Sequence, residues 1–291
     1  MIMSLSSLWK ANRTRNRFED GIEMPRLRRL KSTLSFFWGL RKYRDFRVVY
    51  LNTFFYVWLL LFTPLAVLAL VPAVLIIGIF SRRLALRRLR RSISWYGLAV
   101  IYGLAFPLIR VRYRNFGPDD GPGPFIFICN HRSASDPFLM GCLPFEAVQV
   151  ANTWTFNIPI LGRAARMAGY LSVNEISFAD FSAKALRLLK DGVSIVAFPE
   201  GTRSGSSDMG QFHGSIFRIA LESQCAIVPL CVVGNEKIPS RDFVLQPGKI
   251  KLYKLPALEW EVFKKMKPFE LKNHVRAIIA ARTAEMDQEA E

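Results

Sequence analysis

The sequence predicts an α/β domain with a largely parallel central sheet and flanking helices, joined to an N-terminal helical membrane hairpin. Three observations predict this architecture. Short apolar runs alternate with helix-period segments through residues 108–291, a pattern typical of a parallel sheet. Residues 48–80 contain no charged side chain. The excess positive charge lies entirely in residues 1–114, which hold 21 Lys and Arg and four acidic residues, whereas residues 115–291 hold 19 of each kind.

The chain is therefore expected to have three parts. Residues 1–45 form a basic N-terminal region, residues 46–107 a membrane hairpin with an interfacial helix, and residues 108–291 the α/β domain. The basic region is far too long for the charged start of a cleavable signal peptide, so we expect none.

Residues 48–80 are the first predicted element, a membrane segment of 33 residues. As one helix it would be about 50 Å long, well beyond the ~30 Å hydrocarbon core. Pro64 divides the segment into two halves of 16 residues. Twelve Lys and Arg precede it and six arginines follow it, which favours both ends on the cytoplasmic face. We predict a hairpin that turns near Pro64; one tilted span and a buried helix pair are the alternatives.

The next element is the uncharged stretch 93–109, which contains Trp95 and Tyr102 and follows the arginines of residues 82–91. Aromatic side chains beside a basic cluster are typical of an interfacial helix whose basic neighbours meet anionic lipid head groups. An ordinary helix packed on the α/β domain is the alternative.

Strands and helices are expected to alternate after residue 108. The predicted strands are 110–115, at a sheet edge, then 125–129, 146–151, 193–198, 226–233 and 249–255. The predicted helices are 137–143, 160–168, 178–190, 215–224 and 268–289. The Gly- and Pro-rich run 117–124 is expected to turn the chain after the first strand.

Composition also excludes several classes of function. The basic excess flanks an apolar segment as positive-inside charges do, so we expect no nucleic acid partner. The sequence contains no phosphate-binding glycine loop and no metal-ligand cluster, so no metal or cofactor is expected. The four cysteines form no Cys-x-x-Cys pair, and we expect reduced core thiols and a cytosolic catalytic part.

The segment 129–137 (CNHRSASDP) carries the first candidate chemistry. Pro137 disfavours helical backbone at Asp136 and suits the first position of a helix. We therefore predict a strand, a turn beginning at His131, and a helix capped by Asp136. The turn would bring the carboxylate to the imidazole, and an oriented neutral histidine is a suitable general base. A polar loop histidine without catalytic use is the alternative.

The segment 198–204 (FPEGTRS) directly follows another predicted strand. Ligands bind at the carboxyl ends of strands in open α/β sheets. Glu200 and Arg203 are therefore expected to form a polar pair at a ligand site, with Arg203 suited to an anionic group. A surface turn with a salt bridge would show the same pattern.

Together these segments resemble a known family, the lysophosphatidate (1-acyl-sn-glycerol-3-phosphate) acyltransferases of the wider glycerolipid acyltransferase superfamily. The run 130–136 (NHRSASD) matches the family's Asn-His-x4-Asp motif, and 198–204 matches its third motif residue for residue. The runs 158–175 and 227–230 resemble its second and fourth motifs. Order and spacing agree, and the similarity extends over about residues 108–256.

The resemblance implies that residues 108–291 are an acyltransferase domain and that His131 deprotonates the acceptor hydroxyl while Asp136 holds the imidazole. The alkoxide would attack the thioester of acyl carrier protein or CoA without an acyl-enzyme, and N–H groups near Pro137 would stabilise the oxyanion. Membrane lipids and a lysophospholipid acceptor are the implied partners, at the cytoplasmic face of a membrane. The acceptor site would include Asn130, Arg132, Glu200, Gly201, Thr202, Arg203 and Pro229.

Three departures from the family pattern bear on the acceptor. Glu175 occupies a place that is commonly arginine, Asn152 and Thr153 lie where a lysine is frequent, and His213 follows Phe212 where lysine is usual. Cationic partners for a phosphate are thus fewer than usual. Lysophosphatidate is the predicted acceptor, and a lyso-aminolipid such as lyso-ornithine lipid, or another lipid alcohol, is the alternative.

Two further functions remain open at this point. A serine hydrolase would use Ser133 or Ser135 with His131, although neither serine lies in a Gly-x-Ser-x-Gly elbow. A membrane-tethered lipid-binding protein without enzymatic activity would keep the same fold.

Overall fold

The computed structural model describes residues 45–118, 120–173 and 175–289, of which the side chain of Leu104 is not described. These residues belong to one compact unit, Asp45–Glu291. The predicted basic region lies outside the described residues except for Asp45.

Two helices precede the sheet: α1 (Phe46–Phe80) and α2 (Arg82–Leu98), the latter continued by a π-helical turn at Ala99–Leu104. The strands are β1 (Ile109–Asn115), β2 (Ile126–Cys129), β3 (Ala147–Ala151), β4 (Leu171–Ser172), β5 (Ser194–Ala197), β6 (Ile227–Val233) and β7 (Gly248–Lys254). The remaining helices are α3 (Asp136–Leu139), α4 (Thr153–Phe156), α5 (Leu161–Ala168), α6 (Phe178–Lys190), α7 (Ser215–Ser223), α8 (Trp260–Phe263) and α9 (Pro268–Gln288). A single 3₁₀ turn, Met140–Cys142, follows α3.

Helix α1 is continuous over 35 residues, with Pro64 and Pro72 inside it. The predicted turn near Pro64 is therefore wrong. Helices in apolar surroundings tolerate proline in their interior, and α1 continues through both prolines. The hydroxyl of Thr63, next to Pro64, donates to the carbonyl oxygen of Leu59 at 2.6 Å. Among the described residues, α1 is the one helix long and apolar enough to cross a membrane, and 6% of its most apolar window is buried.

Helix α2 packs on the domain with one face and exposes the other, and the packed face agrees with the expected alternative of an ordinary helix on the α/β domain. Arg90 is buried and donates to Ala168 O at 2.8 Å and to Glu146 Oε1 at 2.8 Å. It therefore fixes α2 to the domain instead of facing lipid. Trp95 is 63% exposed on the opposite side. Within residues 45–118, 120–173 and 175–289, four of the six arginines that follow α1 are exposed and form no salt bridge: Arg82, Arg83, Arg88 and Arg91.

The seven strands form one sheet in the order β1-β7-β6-β2-β5-β3-β4. Every neighbouring pair is parallel except β6 and β7. The predicted α/β class and the edge position of β1 are thus confirmed. The predicted strands and helices of the domain agree with the structure to within a residue or two, apart from 137–143, which is α3 continued by a 3₁₀ turn.

Side chains of β2 alternate between two apolar layers. Ile126 and Ile128 pack with the side chains of α6, α7 and α9, whereas Phe127 and Cys129 pack with those of α1 and α3. Period-two alternation along a strand buried on both faces accounts for this arrangement. Helices cover both faces of the sheet. The edge formed by the carboxyl ends of the strands remains as the place for a ligand site.

Candidate active site

Three adjacent parallel strands deliver the candidate residues to one edge of the sheet. The order β6-β2-β5 places the ends of these strands side by side. His131 follows β2, Glu200 follows β5 and Asn235 follows β6. The two motifs that lie about 70 residues apart in sequence therefore meet where ligands bind in open α/β sheets.

His131 and Asp136 form the predicted pair. The imidazole Nδ1 and the carboxylate Oδ2 are 2.7 Å apart. A carboxylate accepts, so Nδ1 carries the proton and Nε2 is the basic nitrogen that remains for a substrate. The His131 ring packs against Phe198 with the ring centroids 4.6 Å apart, and the side chain remains 16% exposed. The ring is thus oriented from two sides and still reachable.

Asp136 is fully buried and organises the turn that holds this histidine. Its Oδ2 also accepts the backbone N–H groups of Arg132 at 2.8 Å and Ser133 at 2.9 Å. The expectation that Asp136 caps the helix is wrong, because Asp136 is the first residue of α3 and Ser135 occupies the cap position. The carboxylate instead closes the preceding turn, which fixes both the backbone and the imidazole.

Asn235 is a functional candidate that the sequence did not indicate. Its Nδ2 donates to Asp136 Oδ1 in a short hydrogen bond and to Ser135 Oγ at 3.1 Å. The side chain is fully buried. Asn235 therefore holds the carboxylate oxygen that His131 does not use. It lies about 100 residues from Asp136 in sequence, and only the pairing of β6 beside β2 brings the two together.

Glu200 does not line the cavity beside His131; it holds the backbone around the site through hydrogen bonds. Its Oε1 accepts the backbone N–H of His131 at 2.7 Å, and its Oε2 accepts that of Gly210 at 2.8 Å. Burial raises the pKa of the Glu200 carboxyl, and these two N–H groups oppose the rise. Among the described residues Glu200 forms no salt bridge with Arg203, which was its expected partner; its two oxygens instead join the β2 turn to the loop that follows β5.

Asn130, Arg132 and Pro229 were expected at the acceptor site, and the structure shows them in contacts within the fold. The Asn130 amide exchanges two 2.8 Å hydrogen bonds with the backbone of Val232. The buried guanidinium of Arg132 donates to both carboxylate oxygens of Asp287, at 2.8 and 2.6 Å. Pro229 is buried within β6. None of the three lines the cavity described below; they hold the strands and turns that present His131.

Gly201, Thr202 and Arg203 do lie beside His131, as expected. Gly201 has φ of +73°, and a Cβ there would come within 3.2 Å of the His213 ring, so both backbone and packing require glycine. The guanidinium of Arg203 lies 5.2 Å from the centroid of the Phe243 ring. The loop is attached to the histidine turn because the N–H of Ser204 donates to the His131 carbonyl at 2.8 Å.

A large cavity of about 1240 Å³ opens onto His131. Its apolar wall is built by helices α1, α2 and α5, with side chains that include Val67, Leu70, Val74, Ile93, Tyr96 and Leu161. Its polar end contains His131, Thr202, Arg203, His213 and Arg241. Arg163 is a further cation of the lining, and no carboxylate occurs among the described lining residues. The cavity therefore suits a molecule with a long apolar part and an anionic head.

The structure also bears on metal binding and on alternative nucleophiles. Across residues 45–118, 120–173 and 175–289, no group of three or more His, Cys, Asp and Glu side chains is placed to hold a metal ion. Ser133 is buried with its hydroxyl on the carbonyls of Ile238 and Pro239, at 3.0 and 2.8 Å. Burial raises the pKa of the Cys129 thiol well above its usual range. Neither side chain is available to attack a carbonyl in the cavity.

The expected oxyanion site at the start of α3 is not supported. The backbone N–H of Asp136 donates to Ser133 O, and those of Phe138 and Leu139 donate to Ser135 O, at 3.3, 3.0 and 3.2 Å. These amides already have acceptors within the turn. A developing negative charge would need other donors, and the cavity lining contains cationic side chains, among them Arg203 and Arg241.

Comparison with known proteins agrees with the motifs and the fold. Residues 110–233 match the family model described as Acyltransferase. The chain is 31% identical over 134 residues to a chloroplast 1-acyl-sn-glycerol-3-phosphate acyltransferase of Arabidopsis thaliana, covering 44% of this chain and 38% of that protein. It is 28% identical over 206 residues to such an enzyme of Chlamydomonas reinhardtii, covering 68% and 60%. The chain thus spans less than two thirds of these relatives.

A bacterial relative and a solved structure extend the comparison. The 1-acyl-sn-glycerol-3-phosphate acyltransferase of Salmonella typhimurium is 26% identical over 197 residues, covering 66% of this chain and 78% of that protein. The crystal structure of the 1-acyl-sn-glycerophosphate acyltransferase PlsC from Thermotoga maritima superposes with a TM-score of 0.68 at 21% identity, covering 84% of this chain and 98% of that one. This second likeness establishes the shared fold. In its motifs and over residues 110–233, the chain is thus similar to the acyltransferase family and to relatives named 1-acyl-sn-glycerol-3-phosphate acyltransferases.

Proposed function

We propose that this protein is an O-acyltransferase that moves a fatty acyl group from a thioester, of acyl carrier protein or CoA, to the hydroxyl of lysophosphatidate, giving phosphatidate. The observation that carries the proposal is the His131–Asp136 pair at the polar end of an apolar cavity. The names of the relatives support the acceptor, since each is a 1-acyl-sn-glycerol-3-phosphate acyltransferase.

The proposed reaction needs one base and no covalent enzyme intermediate. Nε2 of His131 takes the proton of the acceptor hydroxyl as its oxygen attacks the thioester carbonyl. The tetrahedral intermediate then expels the thiolate, which takes the proton back from the imidazolium. The buried Asp136 carboxylate, held by Asn235 and by two backbone N–H groups, keeps the ring in the reactive tautomer and stabilises its charged form.

The apolar wall of the cavity accounts for the acyl chains. Both the donor and the acceptor carry long hydrocarbon chains that are insoluble in water. Side chains of α1 such as Val67 and Leu70 line the cavity, and the same helix exposes apolar residues over most of its length. We propose that α1 anchors the protein at the cytoplasmic face of a membrane and that residues 108–291 act as the acyltransferase domain above it.

The polar end favours lysophosphatidate over an acceptor with a cationic head. The described lining holds three arginines and two histidines and no carboxylate. A lyso-aminolipid would bring a positive charge into a region that is already positive, which is unfavourable at low effective dielectric. An anionic phosphate monoester brings no positive charge and would be attracted.

The test is lipid mass spectrometry of products formed by the purified full chain from a mixture of lysolipids and an acyl thioester. We expect phosphatidate as the main product and His131→Ala to abolish it. A main product other than phosphatidate would refute the proposed acceptor. Absence of any acylated product with both thioester donors would refute the enzymatic function and favour a lipid-binding protein.

A further inference from the structure

The loop that joins β6 to β7, residues 234–247, is built into the candidate active site. Ser133 of the histidine turn donates its hydroxyl to the carbonyls of Ile238 and Pro239 in this loop. On the other side, Asn52 of α1 exchanges 2.8 Å hydrogen bonds with the N–H and the carbonyl of Leu245. The loop is thus held between the membrane helix and the turn that presents His131.

Arg241 lies on this loop and lines the cavity. Its Nη2 donates to the carbonyl of Ser204 at 2.7 Å, and the N–H of Ser204 donates to the carbonyl of His131 at 2.8 Å. Ser204 therefore links the Arg241 guanidinium to the backbone of His131, the proposed base, through two hydrogen bonds. A guanidinium has five N–H donors, and this bond uses one of them.

Arg203 faces the same place from the opposite loop. Its guanidinium is 5.2 Å from the ring centroid of Phe243, which lies two positions after Arg241. Each arginine thus contacts the loop that carries the other: Arg241 bonds Ser204 in the loop after β5, and Arg203 packs on Phe243 in the loop after β6. Both line the cavity with His131, whereas Asp242 between Arg241 and Phe243 is exposed and does not line it.

The chemistry of the acceptor requires an anion site at this position. In lysophosphatidate the hydroxyl to be acylated is joined to the phosphate through only two carbons and one oxygen, so the phosphate must lie next to His131. A phosphate monoester carries more than one negative charge near neutral pH and offers several acceptor oxygens. Two guanidiniums satisfy such a group better than one, because each presents a fork of donors.

We propose that Arg241 is a second binding residue for the phosphate monoester head group of the acceptor, acting together with Arg203. This inference rests on the proposed function, because it takes lysophosphatidate as the acceptor. It adds a residue of the β6–β7 loop to the acceptor site, and it makes this loop a determinant of the preference for phosphate over neutral head groups.

The experiment measures direct binding and turnover with the full chain in the same detergent. The variants are Arg241→Ala, Arg241→Lys and, as a matched control, Arg187→Ala, which removes an exposed arginine of α6 outside the cavity lining. The ligands are lysophosphatidate and monoacylglycerol with the same acyl chain. Arg241 is exposed, so the thermal midpoint of each variant should equal that of the wild type.

We expect Arg241→Ala to weaken lysophosphatidate binding and raise its KM about ten- to hundredfold, the range for loss of one charge-assisted hydrogen bond. Monoacylglycerol binding and the KM of the thioester should not change. Arg241→Lys should recover part of the loss, and Arg187→Ala should match the wild type. Equal lysophosphatidate affinity in wild type and Arg241→Ala would overturn the inference, as would an equal loss for both ligands.

Failure of this inference is distinguishable from failure of the proposed function. Wild-type turnover of lysophosphatidate that Arg241→Ala leaves unchanged would overturn the inference and keep the function. Binding of lysophosphatidate that depends on Arg241, without its acylation by the wild type, would overturn the function and keep the anion site.

Discussion

At the scale of single residues, the orientation of the His131 ring depends on the hydrogen bonds around Asp136. The carboxylate accepts from the imidazole, from two backbone N–H groups and from Asn235. Each contact restricts the carboxylate to one orientation, and the ring follows it. The pairing of His131 and Asp136 was predictable from the sequence because a proline after a short turn fixes the local backbone.

Asp136→Asn should lower the rate constant for acyl transfer by about 10²–10⁴, because an amide no longer stabilises the imidazolium and favours the wrong tautomer. The measurement is kcat with lysophosphatidate and an acyl thioester. Asp191→Asn, at the exposed end of α6, is the matched control and should be unchanged. A kcat of Asp136→Asn within a few-fold of the wild type would argue against the pair.

Asn235→Ala should reduce kcat about ten- to hundredfold with little change in KM, since one hydrogen bond to a buried carboxylate is lost at a residue that does not line the cavity. Steady-state kinetics at several lysophosphatidate concentrations separates the two constants. If KM rises while kcat stays constant, Asn235 acts on acceptor binding and its assignment as a positioning residue fails.

Other residues of the site could not be predicted because the contacts that define them span the chain. Asn130 and Arg132 belong to a matching motif, yet their polar atoms are used by Val232 and Asp287, which the sequence does not link to them. Arg241 lies outside the four matching motifs. The three departures from the family pattern suggested a cation-poor site, whereas folding adds Arg163 and Arg241 to the cavity lining.

At the scale of elements, the strands and longer helices of the domain were predictable because each buries an apolar face with a clear period. The short elements β4, α4 and α8 were not, since two to four residues carry no period. The turn near Pro64 was wrong for a different reason. The turn was predicted because proline removes a backbone donor, whereas helices in apolar surroundings tolerate proline in their interior, and α1 continues through Pro64 and Pro72.

Asn52 joins α1 to the domain, and its loss should be measurable. Its side chain is fully buried and bonds both the N–H and the carbonyl of Leu245. Asn52→Leu would leave these two groups buried without partners, at a cost of about 1–3 kcal/mol. We expect a lower thermal midpoint in detergent. Leu68→Ala, at a position 72% exposed on α1, is the control, and an equal midpoint for Asn52→Leu and wild type would contradict the role of Asn52.

At the scale of the whole molecule, the cavity links the membrane helix to the catalytic edge of the sheet. Residues of α1 and His131 line the same space. An acyl chain would therefore extend from the reacting carbonyl toward the helix that we place in the membrane. With α1 in the membrane as proposed, a lipid would enter the site without leaving an apolar environment.

Membrane attachment through α1 can be tested by placing charged side chains on its exposed apolar surface. Leu60 and Leu68 are 74% and 72% exposed, and an Asp at the centre of a spanning helix costs about 2.5–3.5 kcal/mol. Leu60→Asp with Leu68→Asp should lower the fraction of protein that floats with lipid vesicles. The control replaces Val262 and Phe269, which are 56% and 67% exposed outside α1, with Asp. Equal flotation of the two double variants would contradict the assignment of α1.

The central claim is that His131, oriented by Asp136, removes the proton from the acceptor hydroxyl. The most direct test is the single-turnover rate of phosphatidate formation by wild type and His131→Ala, with the acyl thioester and lysophosphatidate both saturating and the fold checked by thermal midpoint. We expect His131→Ala to be slower by orders of magnitude at an unchanged midpoint. A correctly folded His131→Ala that forms phosphatidate at a near-normal rate would contradict the mechanism.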